Sequence, residues 1–314
     1  MRNLTDFAIL QEYERIKKLG DKLVENGSRI NWEGFRPQLE AMFKNGTELG
    51  GRPNLDVIVM LKSLFIQQLY SLSDEQLERE LADRISFRVF LGTTEIVPDS
   101  TTIWKFRERL AASGMDREVW AEMQRQLDSM NLKVQKGIMQ DATFITADPG
   151  HAKAGTPRGD EAKTRRSKDG AWAKKGAKSY FGYKLHDAMD EKFGLVRRIE
   201  VTAANVHDSQ VDLAKEGEVR YADRGYFGAK TKGYDAAMKK ATRCHPLSHK
   251  DELRNRRISS KRAPVERVHA FVKRACKAGH VLVTTIPRVR VKMIITGIVF
   301  DVYQLASAKR KLGA

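Results

Sequence analysis

The hydrophobic period of this chain changes once, near residue 131, which restricts the fold to a helical part followed by a sheet-containing part. Up to Met130 apolar residues recur at mixed helical spacing. Leu55–Tyr70 is apolar on most sides, as expected of the central helix of a bundle, with Asn54 as a possible N-cap. Ser73 followed by Gln76 forms a capping-box pattern that predicts a helix through about Phe90. Asp99 or Ser100 then caps a helix from about Thr101 to Leu110, and Met115–Met130 supplies another. In the Thr101–Leu110 helix, Ile103, Phe106 and Leu110 make the buried stripe. Thr101, Thr102, Lys105 and Arg109 fall on the other face, able to reach bases and phosphates. The last two helices before residue 111 have the proportions of a helix-turn-helix; an ordinary bundle with a solvated basic face is the competing reading.

From Val134 short apolar runs replace the helical period. Strands are expected at Gly137–Ile145, Ser179–Met189, Leu195–Ala203 and Val219–Asp223, the last ending on an acid and breaking at Gly225. A short helix capped by Asp208 or Ser209, a helix over about 229–240 and a strand over about 241–247 continue the alternation. A basic, irregular connection over 248–262 leads to an amphipathic helix that opens at Pro264. Val265, Val268, Phe271 and Val272 form its apolar stripe. Glu266 sits in its first turn, Lys273 lies seven residues on along the same face, and Arg262 lies just ahead. Arg288–Leu305 reads as a closing apolar helix. This order implies an α/β (α+β) fold, a mixed sheet flanked by helices over 131–314, preceded by an all-helical domain over 1–130.

Charge follows the same division. Residues 1–130 hold 18 Lys and Arg against 21 Asp and Glu, a net of −3, whereas residues 131–314 hold 39 against 19, a net of +20. So one-sided a field suits a phosphate-backbone partner, the competing reading being a solvated basic surface with no partner. A polar, Gly-containing loop is expected over 153–178, carrying Lys163, Arg165, Arg166, Lys174 and Lys175 around Trp172, the basic and aromatic mixture used to grip nucleic acid; a merely disordered loop is the competing reading. No apolar run approaches the length of a membrane span, the N-terminus lacks a signal-peptide pattern, and two cysteines make no disulfide framework. A cytoplasmic protein with no membrane partner is expected.

Three acids stand out. Asp141 lies inside an apolar strand, where an unpaired charge is costly. Asp223 ends the fourth expected strand, and Glu266 opens a helix, where a carboxylate is also favoured by the helix end alone. In a ribonuclease H-like sheet, the 137–145 and 219–223 strands lie side by side in the middle. The helix bearing Glu266 would then cross the same edge. Three converging carboxylates repel one another unless a cation is present, and hard oxygen ligands suit Mg²⁺ or Mn²⁺, two ions to the site. Asp148 could replace Asp141, although Pro149-Gly150 beside it favours a turn role. Cys244, His245, His249 and Cys276 could be assembled into a zinc site only at poor spacing. Asp208 reads as a helix cap, and Asp187 and Asp190 as strand-end and turn residues.

Taken together, the runs LSDEQLERELADRISFRVFLG, PDSTTIWKFRERL, QDATFI, FGYKLH, VTAANVHD, YADRGYFG and RAPVERVHAFVKR resemble the bacterial insertion-sequence DDE transposases of the IS-four/IS-five superfamily, the IS-five side most. The resemblance covers nearly the whole chain. It implies a ribonuclease H-like catalytic domain in which Asp141, Asp223 and Glu266 hold two Mg²⁺ or Mn²⁺ ions. It implies a helical N-terminal DNA-binding domain, recognition of terminal inverted repeats in double-stranded DNA, cleavage at the element ends and strand transfer into target DNA. A homodimer or higher oligomer on nucleoid DNA is expected with it. In the family pattern of Tyr, Arg, Glu and Lys, the last three map to Arg262, Glu266 and Lys273; the tyrosine position holds Ser259 here. A transposase-derived sequence-specific DNA-binding protein without catalysis is the alternative.

Overall fold

The computed structural model describes residues 4–43, 54–92, 97–150, 167–243 and 245–313. They fall into two compact units, Met1–Met130 with Ile294–Ala306, and Asn131–Met293 with Ser307–Ala314.

The first unit is helical: α1 (Leu4–Leu19), α2 (Lys22–Gly27), a 3₁₀ turn at Trp32–Phe35, α3 (Arg36–Glu40), α4 (Val57–Tyr70), α5 (Asp74–Asp83), α6 (Ile85–Leu91), α7 (Ser100–Ser113) and α8 (Asp116–Ser129). As its all-round apolar character predicts, α4 buries residues on most sides, from Val57 to Gln68. Its Phe65 meets Trp32 edge-on at 5.3 Å, and Trp32 meets Phe90 the same way at 5.4 Å. The N-cap of α4 is Asp56, not Asn54; its carboxylate accepts from the amides of Ile58 and Val59. The Ser73–Gln76 capping box forms with both of its bonds. The helix it opens ends at Asp83, however, because Arg84 is extended (φ −84°, ψ 116°) and starts α6 at an angle.

The second unit holds β1 (Gly137–Ala147), β2 (Ala171–Lys175), β3 (Lys178–Asp190), β4 (Val196–Ala203), β5 (Val219–Ala222), β6 (Tyr234–Ala237), α9 (His249–Arg262), α10 (Val265–Ala270), a π-helical turn at Phe271–Ala275, and β7 (His280–Val281). The sheet is mixed, in the order β2-β3-β1-β5-β6, with β4 on β3 and β7 on β1. The expected α/β fold with a helical N-terminal region and a curled mixed sheet is present. β1 pairs antiparallel with β3 along its length; on its other side β5 covers only Gly137–Met139 and β7 only Thr146–Ala147, both parallel. Gln140–Ile145 therefore has no strand partner on that side, and Asp141 lies where the sheet opens.

Five local expectations fail here. The loop expected over 153–178 contains the strand β2 at Ala171–Lys175, held by its antiparallel pairing with β3. Asp208–Gln210 is a single 3₁₀ turn, capped by His207 rather than Asp208. The helix expected over 229–240 is the edge strand β6, and the strand expected over 241–247 is one isolated bridge, Thr242 to His245. The stretch 248–262, expected to be irregular, is a full helix, α9, capped by Ser248. It buries only Asn255 and Ile258, so its sequence carries no apolar stripe to announce it.

α11 (Ile286–Leu312) completes the chain. Contrary to the sequence expectation, it is long and apolar enough to cross a membrane by length and composition, yet most of that stretch is buried inside the protein. Its middle, Ile294–Ala306, belongs to the first unit and its two ends to the second.

Within β3, His186 is fully buried, its Nε2 2.9 Å from the Thr202 hydroxyl and its Nδ1 unpartnered. Burial pushes its pKa down to about 4, with Lys184 adding to the fall and Asp208 opposing it. A histidine held neutral in the fold takes up its proton preferentially when unfolded. The stability it supports is complete above about pH 6.5 and is lost as pH falls toward 4, up to about 3 kcal/mol. His186→Asn is expected to flatten that part of the profile of urea-unfolding free energy against pH; an unchanged slope refutes the assignment.

Candidate active site

The site is built on three elements of the second unit. β1 carries Asp141, the end of β5 carries Asp223, and α10 carries Glu266. β5 pairs with β1 up to Met139–Tyr221, so Asp141 and Asp223 are opposite one another two residues beyond the last pair, where the strands part. Asp223 caps the 3₁₀ turn Arg224–Tyr226, its Oδ1 accepting from the Gly225 amide at 2.8 Å. A Cβ at Gly225 would lie 3.0 Å from that oxygen, so a larger residue there would have to displace the Asp223 carboxylate by a few tenths of an ångström.

Asp141 is largely shielded from solvent. Its Oδ2 lies 2.9 Å from a guanidinium nitrogen of Arg262, the last residue of α9, and its Oδ1 accepts from the Ala142 amide at 2.9 Å. Burial nonetheless pushes the carboxyl up to about 6, against the pull of Arg262, His269 and the Ala142 amide; Asp187 adds to the rise. The desolvation cost of this charge thus exceeds what one guanidinium returns.

Asp187 and His269 are the members that sequence reading passed over. Asp187 faces Asp141 across the β1–β3 register and is fully buried. Its Oδ1 lies 2.7 Å from His269 Nε2, and its Oδ2 has no hydrogen-bond partner. Burial works against charge on His269, but Asp187, together with Asp141 and Glu266, outweighs it and raises the imidazole pKa. Two signals were present in the sequence: an acid inside an apolar strand, the argument already applied to Asp141, and a histidine three residues from Glu266 on one helix face. Tyr226, also fully buried, has its hydroxyl pKa raised by burial and by Asp208, Asp141 and Asp223, which ties both aspartates to one place.

Of the other expected site residues, Lys175 is near enough to Lys273 for its charge to be felt there. Lys273 is exposed on the π-helical turn; burial of its stem and the charge of Lys175 lower its pKa, while Glu266 opposes that. Lys174 and Lys175 are exposed at the end of β2, near exposed Trp172. Lys163, Arg165 and Arg166 lie outside the described residues. Arg262, expected to meet phosphate, has its guanidinium on Asp141. In the first unit, Asp99 caps α7, and Ile103, Phe106 and Leu110 are buried as expected. Thr101 and Lys105 are exposed and Thr102 half-buried, while Arg109 lies 4.2 Å above the Phe43 ring. Exposed Trp104 shares the face of Thr101 and Lys105; its being out of phase with the buried stripe is the signal that could have found it.

Asp148 makes a turn bond to the Gly150 amide, as its neighbours predict. Asp208 pairs with Lys184 at 2.7 Å and is no cap. Cys244 lies outside the described residues, and Cys276 is buried. Among the described residues no three His, Cys, Asp or Glu side chains are grouped as a metal site. The donor set still fits a hard divalent cation. Asp141 is a buried carboxylate whose charge is undercompensated, and Asp187 Oδ2 is a buried oxygen without a partner.

Truncating Arg262 leaves the Asp141 charge buried alone. Arg262→Ala is expected to cost about 1–3 kcal/mol, below the usual 3–5 for a broken buried pair because Asp141 can protonate. Asp141→Asn in that background is expected to recover most of it. Additive losses in a urea double-mutant cycle would show that the two are not coupled.

Residues 133–300 match the family model described as Transposase DDE domain, and residues 11–109 match the one described as Transposase domain (DUF772). No solved structure matches the chain.

Proposed function

The chain belongs to the Transposase DDE domain family, and on that premise we propose a DNA transposase of the IS-five-like branch that cuts at the ends of its own element and joins them to target DNA. The observation that carries this reading is the placement of Asp141 and Asp223 at the parting of two parallel strands, beside the helix of Glu266.

In this proposal Asp141, Asp223 and Glu266 hold two Mg²⁺ or Mn²⁺ ions. Such ions, when bound, lower the cost of charge on the attacking and leaving oxygens of a phosphodiester. The rest is done by the chain. Asp187 Oδ1 and His269 keep α10 against β3, which sets Glu266 over the opening beside β1. Arg262 neutralises Asp141 until substrate arrives, then becomes available to a phosphate oxygen. Lys175 and Lys273 grip the strand next to the scissile phosphate, helped by Lys174, Lys163, Arg165 and Arg166. Water attacks the phosphorus, the P–O bond to the 3′ oxygen breaks, and that oxygen leaves as the 3′-OH. In the second step the freed 3′-OH attacks a target phosphodiester, forming a new P–O bond as the target's own P–O3′ bond breaks; the attacking hydroxyl gives up its proton and the target's 3′ oxygen leaves protonated as a 3′-OH.

Domain 1–130 reads the terminal repeats through Thr101, Thr102, Lys105 and Arg109, and domain 131–314, with its net +20, supplies non-specific affinity. Two element ends require at least two copies, hence a homodimer or higher oligomer on DNA.

Single replacement of Asp141, Asp223 or Glu266 by Ala is expected to abolish cleavage of element-end duplex while changing gel-shift affinity less than about threefold, since phosphate contacts lie elsewhere. Cleavage surviving loss of Asp141 ends this assignment; a wild type that binds but never cuts favours the non-catalytic alternative. Glu266→Gln is expected to melt no lower than wild type without metal, and to gain less than wild type from added Mn²⁺. An equal gain in a thermal titration means that Glu266 is no ligand.

A further inference from the structure

The second unit has a groove of about 510 Å³ between α9 and the edge of the sheet, lined by neither Arg262 nor Asp141. Lys250, Arg254, Arg257 and Lys261 line one wall. They recur every three or four residues and so share one face of α9, a stripe about 16 Å long at 1.5 Å per residue. The floor is apolar: Val219, Tyr221 and Ala236 from β5 and β6, with Leu253 and Ile258 from the helix. Tyr234, in register with Val219, lies on the same sheet face and is 68% exposed. No acid lines the groove.

Two of the four cations are committed. Lys261 is bonded to Glu191 and, at 3.1 Å, to the Tyr221 hydroxyl, and Arg254 donates to the Ala237 carbonyl at 2.7 Å. Lys250 and Arg257 are exposed and make no ion pair among the described residues. The former pair shapes the groove, and the latter pair is offered to a ligand.

We propose that this groove takes an unpaired stretch of DNA that leads to the reacting phosphate. The stripe is too long for one small anion and matches a run of phosphates. The apolar and tyrosine floor has no use for a duplex, whose bases are stacked inside, but offers unpaired bases a surface to lie on. Its two sides also run to the candidate site: β5 continues into Asp223, and α9 ends on Arg262 beside Asp141. A strand lying in the groove is thereby directed at both acids. This rests on the reading of the unit as a DNA-cleaving domain, and it assigns Lys250 and Arg257 as phosphate contacts and exposed Tyr234 as the base platform, since Lys261 already lies over the Tyr221 ring.

The test uses the full chain, with fluorescence anisotropy on a labelled oligothymidylate and on a duplex of equal length across a salt series. The double variant Lys250→Gln, Arg257→Gln is expected to bind the single strand about tenfold more weakly and to lose about 1.4 from its salt slope, two contacts at roughly 0.7 each, with duplex binding changed less than about twofold. Tyr234→Leu is expected to weaken the single strand with the slope unchanged, because stacking displaces no counterions. Equal losses on single strand and duplex overturn the proposal in favour of a general duplex surface, and unchanged single-strand binding overturns it outright. If wild type cuts element ends and binds duplex while the double variant holds the single strand as well as wild type does, only this groove assignment falls. If wild type binds neither form, the reading of the unit as DNA-cleaving falls with it.

Discussion

The carboxylate of Asp141 inside β1 is the constraint from which the second unit follows. A charge at that depth must be paired, and no neighbour in sequence can do it. Arg262 does so from the end of α9, which pins that helix to the sheet beside the opening between β1 and β5. α10 starts three residues later, at Val265, so placing Arg262 also places Glu266. The pairing is incomplete: the Asp141 pKa is about 6 even with Arg262 in contact, so burial outweighs the attraction. A centre kept short of positive charge in this way is prepared for a cation or a charged substrate.

The surrounding polar residues hold this arrangement from behind. Asp190 accepts from the Phe193 and Leu195 amides at 2.5 and 3.2 Å and pairs with buried Arg197 at 3.0 Å, closing the β3–β4 turn. Arg220, fully buried on β5, reaches Asp212 at 3.5 Å and Asp235 at 3.1 Å, tying β6 to the sheet. Burying charge this deeply is favourable only where partners meet it with good geometry. Gly182 serves the same sheet by omission: a Cβ there would lie 2.4 Å from the Ile145 carbonyl. Its φ of +139° also suits glycine, so β1 and β3 can close over this stretch.

Legibility in the sequence followed the strength of local signals. The α4 helix, the Ser73 cap, β1, β3, β4 and β5 were readable because apolar period or cap chemistry marks them over a few residues. α9 was not, since a helix burying two side chains has almost no period to read, and its cations looked like a solvated connection. β6 was mistaken for helix because YDAA carries no β-branched residue; its pairing with β5 overrides that preference. Asp187 was set aside as a strand-end residue although the expected strand already ran past it to Met189; only the folded sheet shows that both faces of β3 are covered there, which buries it.

By itself the sequence determined the division into a helical part and a mixed-sheet part, the one-sided charge, the family and the three acids worth suspecting, because composition, period and motif order are written along the chain. The tertiary structure alone decided which groups meet: Arg262 with Asp141, His269 with Asp187, and Lys261 of α9 with Tyr221 of β5. Those contacts join residues far apart in sequence. Their energies depend on burial and on the register of strands that pair only after the chain has folded.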